Sequence, residues 1–339
     1  MILALRPSNN LPRNKATSAV AAAWALGFAL NACAPPQPCL WITNQEAGTV
    51  SVIDSSTDSV VDTILVGANP AGIAVGKTGR DVFVSIPGPN EVTFINGNTR
   101  KIVKRIPVPG GPLGMALDEI GGRLLVGEWY DNDVAVFDTR SLSLVGRIPV
   151  GQAPAGIAVT PDGALALVAN RDSSTVSVIG LADLMVRTTV PVGTHPFGIT
   201  VSPDGKQAWV AAVQDNSISV IDLESMRLIR SIPVGRTPYV IAFSIDGRLA
   251  FVTNQHDNTV TSVDVRTLSP VATAAVGEYP EGIMAHPDGK RLYVANWMSD
   301  TVSVIDIDGL KEEKTVKSGN GSRAFGRFLG DAQSYCTKD

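Results

Sequence analysis

Residues that usually carry chemistry are scarce in this chain, which has three histidines and three cysteines among 339 residues. It contains no Gly-x-Ser-x-Gly elbow, His-Glu-x-x-His pair, Cys-x-x-Cys pair or phosphate-cradling glycine loop. Those absences remove the sequence-local signatures of acyl transfer, zinc proteolysis, thiol redox chemistry and nucleotide binding. No cofactor-attachment motif is present, so no cofactor is expected. Charged residues make up only 18% and the formal net charge is −4. Phosphate contacts favour a net basic surface, so nucleic acid is not an expected partner of this net acidic chain. Helical periodicity is missing after residue 32. What is abundant is glycine (32) and proline (22) in a chain 44% hydrophobic, a balance that suits short strands and tight turns.

Residues 1–32 read as a signal peptide. Arg6, Arg13 and Lys15 form a basic start without acids, and residues 19–30 are an apolar run of twelve, too short to span a bilayer comfortably. The run ends in Leu30-Asn31-Ala32-Cys33, which resembles a bacterial lipobox with Cys33 as the lipidated residue, although Asn31 departs from that pattern. Ordinary secretion with cleavage after Ala34 would put Pro35 first, and a retained anchor is the third alternative. Residues 33–39 are then an anchor and linker, and 40–339 a single domain. Loss of the leader leaves 25 basic against 32 acidic residues.

The dominant signal is a 42-residue period. Prolines 70, 112, 154, 196, 238 and 280 keep that step, as do seven VSVID-type strands beginning at Val50, Val92, Val134, Val176, Ile218, Val260 and Val302. One unit, 196–235, reads as four strands: FGITVS, a Pro203-Asp204-Gly205 turn, QAWVAA, a polar loop, ISVID, and MRLIRSIPV ended by Gly235. Proline presets φ and glycine accepts positive φ, so the turn has a mechanism. Four short strands per forty-odd residues predict an all-β, seven-bladed β-propeller with four-stranded antiparallel blades. The first unit lacks its opening strand, and residues 324–329 lie in the segment SRAFGRFLG, whose Ser322 stands one period beyond Pro280. They are expected to supply that innermost strand and close the ring, which removes free sheet edges.

Closure brings Cys39 and Cys336 to one end of the ring, on the face carrying the Pro-Asp-Gly turns. A disulfide there is expected, two free thiols being the alternative, and would contribute about 3–5 kcal/mol through the unfolded state.

Tyr293-Val294-Ala295-Asn296, Phe251-Val252-Thr253-Asn254 and Leu167-Val168-Ala169-Asn170, each followed by a VSVID-type strand, resemble the YVTN family of β-propeller repeats, as does the terminal SRAFGRFLG. The resemblance covers roughly 40–330. It implies the fold and an extracytoplasmic bacterial setting, with few assigned activities. Ile86, Ala212 and Glu128 replace the repeated Asn.

Ligand-binding candidates fall on the face made by the loops between strands two and three and between blades: Glu128, Trp129, Tyr130, His195, Phe197, Arg236, Tyr239, Tyr279, Glu281, Trp297 and Arg323. Aromatic and charged groups at a channel mouth suit a protein, peptide or glycan partner. The repeated Asp and Asn read as turn and loop hydrogen-bonders, and His286 as structural. The leading functional reading is a monomeric, non-enzymatic binding or scaffold propeller, secreted across the inner membrane and tethered to the envelope. The alternatives are a lactonase-like hydrolase built on His195, Glu281 and Arg236, and a periplasmic redox protein with a cofactor between His195 and His256.

Overall fold

The computed structural model describes residues 37–331 and Cys336. The signal-peptide reading and Cys33 lie outside the described residues. Seven antiparallel sheets stand around an axis. Blades 3 to 7 occupy 112–149, 154–191, 196–233, 238–275 and 280–317, each with four strands in chain order from the axis outward. Blade 2 occupies 72–107, and blade 1 takes its three outer strands from 39–65. The only helix among the described residues is a 3-10 turn, Gln255–Asp257, and none is long and apolar enough to cross a membrane.

Blade 5 shows why the repeat folds this way. Its strands are Pro196–Val201, Gln207–Ala212, Ser217–Asp222 and Arg227–Pro233. Between the first two, Gly205 takes φ +73°. The Ser202 hydroxyl donates to the Asp204 carboxylate at 2.6 Å, and Asp204 accepts the Lys206 N–H at 3.1 Å. After the third strand, Asp222 accepts the Ser225 N–H at 2.7 Å, as Asp138 does from Ser141 and Asp264 from Thr267, both also at 2.7 Å. The repeated aspartates are turn formers, and these donors hold their carboxyls below the usual range.

Cores lie between blades rather than within them. A single second-strand position, stepped by 42, places Trp41, Phe83, Leu125, Leu167, Trp209, Phe251 and Tyr293 in these seams, all fully buried. Around the axis the inner strands approach so closely that a Cβ on Gly114 would lie 1.8 Å from the Ala155 carbonyl oxygen. Glycine at this repeat position in blades 2 to 5 and 7 allows that approach, while blade 6 carries Val240 there.

The ring closes where the sequence places the closure, with one difference in detail. Residues 322–329 lie against the strand Cys39–Asn44 through two antiparallel bridges, Asn44 with Ser322 and Leu40 with Leu329. The regular part, Phe325–Arg327, instead forms a parallel ladder with the inner strand Gly72–Val75 of blade 2. Gly326, at φ +118°, makes this possible, because a Cβ there would lie 2.2 Å from the Ile73 carbonyl oxygen.

Cys39 and Cys336 form the disulfide, with Cα atoms 4.7 Å apart across a sequence separation of 297. The Arg100 guanidinium donates to the Cys336 carbonyl at 3.1 Å beside it.

At the seam between blades 7 and 1, fully buried His286 meets Ser55 and Asp288. The Ser55 hydroxyl donates to the Pro38 carbonyl at 2.7 Å, so His286 Nε2–H donates to Ser55 at 3.0 Å. Nδ1 stands 2.9 Å from the Asp288 carboxylate, and Arg291 donates to the Ser55 carbonyl at 2.7 Å. The array has the composition of a hydrolytic triad, but its serine is buried and its proton is committed. Its role is to hold the seam. Burial lowers the His286 pKa, opposed by Asp288 and supported by Arg291. The unfolded chain therefore binds a proton that the native seam resists, and stability falls as pH drops below about 6.5. Urea midpoints measured from pH 7.5 to 5 are expected to fall less in His286→Gln than in the parent. Parallel curves would remove this histidine from the acid response.

Candidate functional site

The residue after each of the six opening prolines, and Arg323 after Ser322 at the seventh step, lies at the loop-face end of an inner strand. Stepped by 42, these residues are Ala71, Leu113, Ala155, Phe197, Tyr239, Glu281 and Arg323. The last four are large, and they converge. Phe197 stacks on Tyr239 with centroids 4.2 Å apart, and Phe325 packs 4.8 Å from Phe197 and 6.2 Å from Tyr239. Over the side where the ring residues are small, Trp129 leans in to 6.5 Å from Phe197.

Beside this aromatic layer sits a buried ion pair. Arg323 Nε lies 2.5 Å from Glu281 Oε2, with side-chain exposures of 15% and 2%. Arg323 Nη2 also donates to the Tyr239 hydroxyl at 3.1 Å, and Gln255 donates to Glu281 Oε1 at 2.9 Å. Burial pushes the Glu281 carboxyl up, while Arg323 and Gln255 oppose it. The same burial, with Glu281 alongside, raises the Tyr239 hydroxyl far out of physiological reach. Tyr239 is therefore a hydrogen-bonding phenol and no base.

The layer continues outward. The Arg323 guanidinium stands 5.6 Å over the Trp297 ring, Tyr279 meets Trp297 edge-on at 6.0 Å, and His256 meets Tyr279 at 5.3 Å. Thr237 Oγ1 contacts His256 Nδ1, and Arg236 pairs with Asp257 at 2.5 Å. On the other flank Arg171 lies 5.8 Å over Trp129, and Tyr130 is 74% exposed. Two tryptophans thus each carry an arginine, a cation–π arrangement that presents positive charge over an apolar base.

Not every sequence candidate joins this cluster. Glu128 is fully buried in the blade wall, where it accepts the Gly110 N–H at 3.1 Å and pairs with Arg147. It does the work of Asn44, whose Oδ1 accepts the Gly319 N–H at 3.1 Å. Where Ala212 replaces Asn, the Ser219 hydroxyl accepts the equivalent Gly193 N–H at 3.0 Å. His195 occupies the left-handed turn position before its proline, at φ 53°, as Thr237 and Tyr279 do in their blades. Among the described residues, no hydrogen bond or ion pair joins His195 to Glu281, Arg236 or His256, and no group of three or more His, Cys, Asp or Glu is placed to hold a metal ion.

Sequence reading places Arg171 on this face but not over Trp129, and it misses Gln255 and Phe325. The Arg171 contact follows from the loop alignment of adjacent blades. Phe325 has no such signal, because it stands two places further along its strand than Phe197 and reaches them only through the irregular closure.

A family model described as YNCE-like beta-propeller matches residues 159–248, about two blades. We find no match among curated proteins. Among solved structures, a chain of Kuenenia stuttgartiensis hydrazine synthase is 21% identical with TM-score 0.71, covering 84% of this chain and 99% of that one. A functionally unknown protein from Desulfotomaculum acetoxidans is 19% identical with TM-score 0.75, covering 85% and 99%. The dihydro-heme d1 dehydrogenase NirN is 19% identical with TM-score 0.65, covering 82% of this chain and 63% of its own. At such identities the likeness carries the propeller fold to this chain, and no activity.

Proposed function

We propose that this protein is a non-enzymatic binding propeller, acting outside the cytoplasm, whose loop face recognises a protein, peptide or glycan partner bearing anionic groups. The reading rests on one observation: Phe197, Tyr239, Phe325 and Trp129 floor the loop-face end of the channel, and Arg171 and Arg323 lie over tryptophans around that floor. A sealed floor suits a ligand that lies across the face better than a small substrate held in a cleft. Trp, Tyr and Arg are the residue types that dominate binding hot spots. With Cys33 lipidated and the chain leaving the turn face at Cys39, the loop face would point away from the membrane.

Arrays of acidic peptides and uronate- or sialate-bearing glycans supply the test. Binding is expected, with Arg171→Ala weakening it at least tenfold while the melting temperature stays within about 2 °C, as for a surface change, and Trp129→Ala weakening it as much with some loss of stability, because its ring packs on Phe197. Equal binding by both variants, or none by the parent, would sink the reading.

A further inference from the structure

Below the aromatic floor the channel does not stay filled. A cavity of about 370 Å³ runs from Phe325 and the glycines of the inner strands down to Glu119 and Ile245 in the turns of the opposite face. Ile245 is 56% exposed, which marks that end as the mouth. The cavity exists because the inner strands carry small side chains where bulk would fill it: Ala116, Ala158, Thr200 and Ala242 stand at one repeat position. One place further on, Leu117, Val159 and Val201 are only partly buried. These apolar groups face open space inside an otherwise close-packed ring, an arrangement that an apolar ligand would relieve.

Hydrogen-bonding capacity is also present. The inner strands of blades 3 to 6 are the terminal strands of their sheets, so their axis-facing main-chain groups have no ladder partner, whereas Gly282 in blade 7 donates to the Arg323 carbonyl at 3.0 Å. The charged side chains lining the cavity, Glu119 and Arg327, are both engaged: Glu119 accepts the Lys77 N–H at 2.6 Å and Arg327 pairs with Asp331 at 2.5 Å. A wall of small apolar side chains with scattered amide groups, its charged side chains limited to Glu119 and Arg327, is the makeup of a small-molecule site, and the volume lies in the usual range of about 300–1,000 Å³.

We infer that the channel is a second binding site, entered from the turn face, for a neutral and mainly apolar small molecule. It is separate from the loop face and independent of the partner proposed there.

The probe is N-phenyl-1-naphthylamine, a neutral apolar fluorophore, titrated into the full mature protein. Saturable one-to-one binding is expected. Ala158→Phe, which fills the cavity from its wall, should weaken it at least tenfold, and the milder Thr200→Leu should weaken it measurably if the larger change disturbs folding. Met298→Ala, an exposed change on the other face, should leave the affinity unchanged. No saturable binding by the parent overturns the inference. So does unchanged affinity in a folded Ala158→Phe or Thr200→Leu protein, or loss of binding in Met298→Ala.

Discussion

Replacing Cys39 and Cys336 together by alanine should lower the unfolding free energy by about 4 kcal/mol, the upper part of the range for a disulfide closing a long loop. The bond spans 297 positions, so it restricts almost the whole unfolded chain. It also sits where the ring is weakest. Blade 1 is the one blade assembled from both ends of the chain, and its inner element contributes only the three-residue ladder Phe325–Arg327 and two bridges. Thermal melts of the oxidised protein, the reduced protein and the double variant test this. The second and third should coincide, well below the first. Coincidence of all three would mean that the seam contacts of His286, Arg291 and Tyr293 hold the ring without the bond.

Arg323→Met should destabilise the protein by about 3–5 kcal/mol, the usual consequence of leaving one member of a buried ion pair alone. Glu281 is 2% exposed and its carboxylate faces Arg323 and Gln255. Losing the guanidinium leaves a charge in a layer of Phe197, Tyr239 and Phe325. Adding Glu281→Gln should recover most of the loss, since a neutral amide can still bond Gln255. The pH dependence has a definite sign. A carboxyl raised in the native state binds more protons than in the unfolded chain, so the single variant should lose stability as pH rises from about 4 toward neutrality. Chemical denaturation of the parent, both singles and the double at pH 4.5 and 7.5 measures both effects. A single variant as stable as the parent would show that the pair contributes nothing to the floor.

Much of the fold was legible because the repeat states it seven times. A 42-residue step in proline and in VSVID-type strands leaves little freedom of register, and the cysteine pairing follows from ring closure. The candidate face was legible in part. Phe197, Tyr239, Glu281 and Arg323 occupy one repeat position, so their convergence could be read from the same step. Glu128 could not be placed this way. It looked like an exposed acid in an aromatic loop, yet it fills the structural position of the repeated Asn and meets Arg147 from the outer strand, a contact between strands that adjacency in sequence does not reveal.

By itself, then, the sequence determined the blade count, the strand order, the two faces and the site of closure, because each depends on local turn chemistry and two-residue alternation repeated at constant spacing. Only the tertiary structure decided which face of the channel is shut. That depends on how large side chains from blades 3, 5 and 6 meet Phe325 across the axis, while small ones leave the other end open. Side-chain volume summed around a ring is a property of seven strands together, and no single repeat contains it.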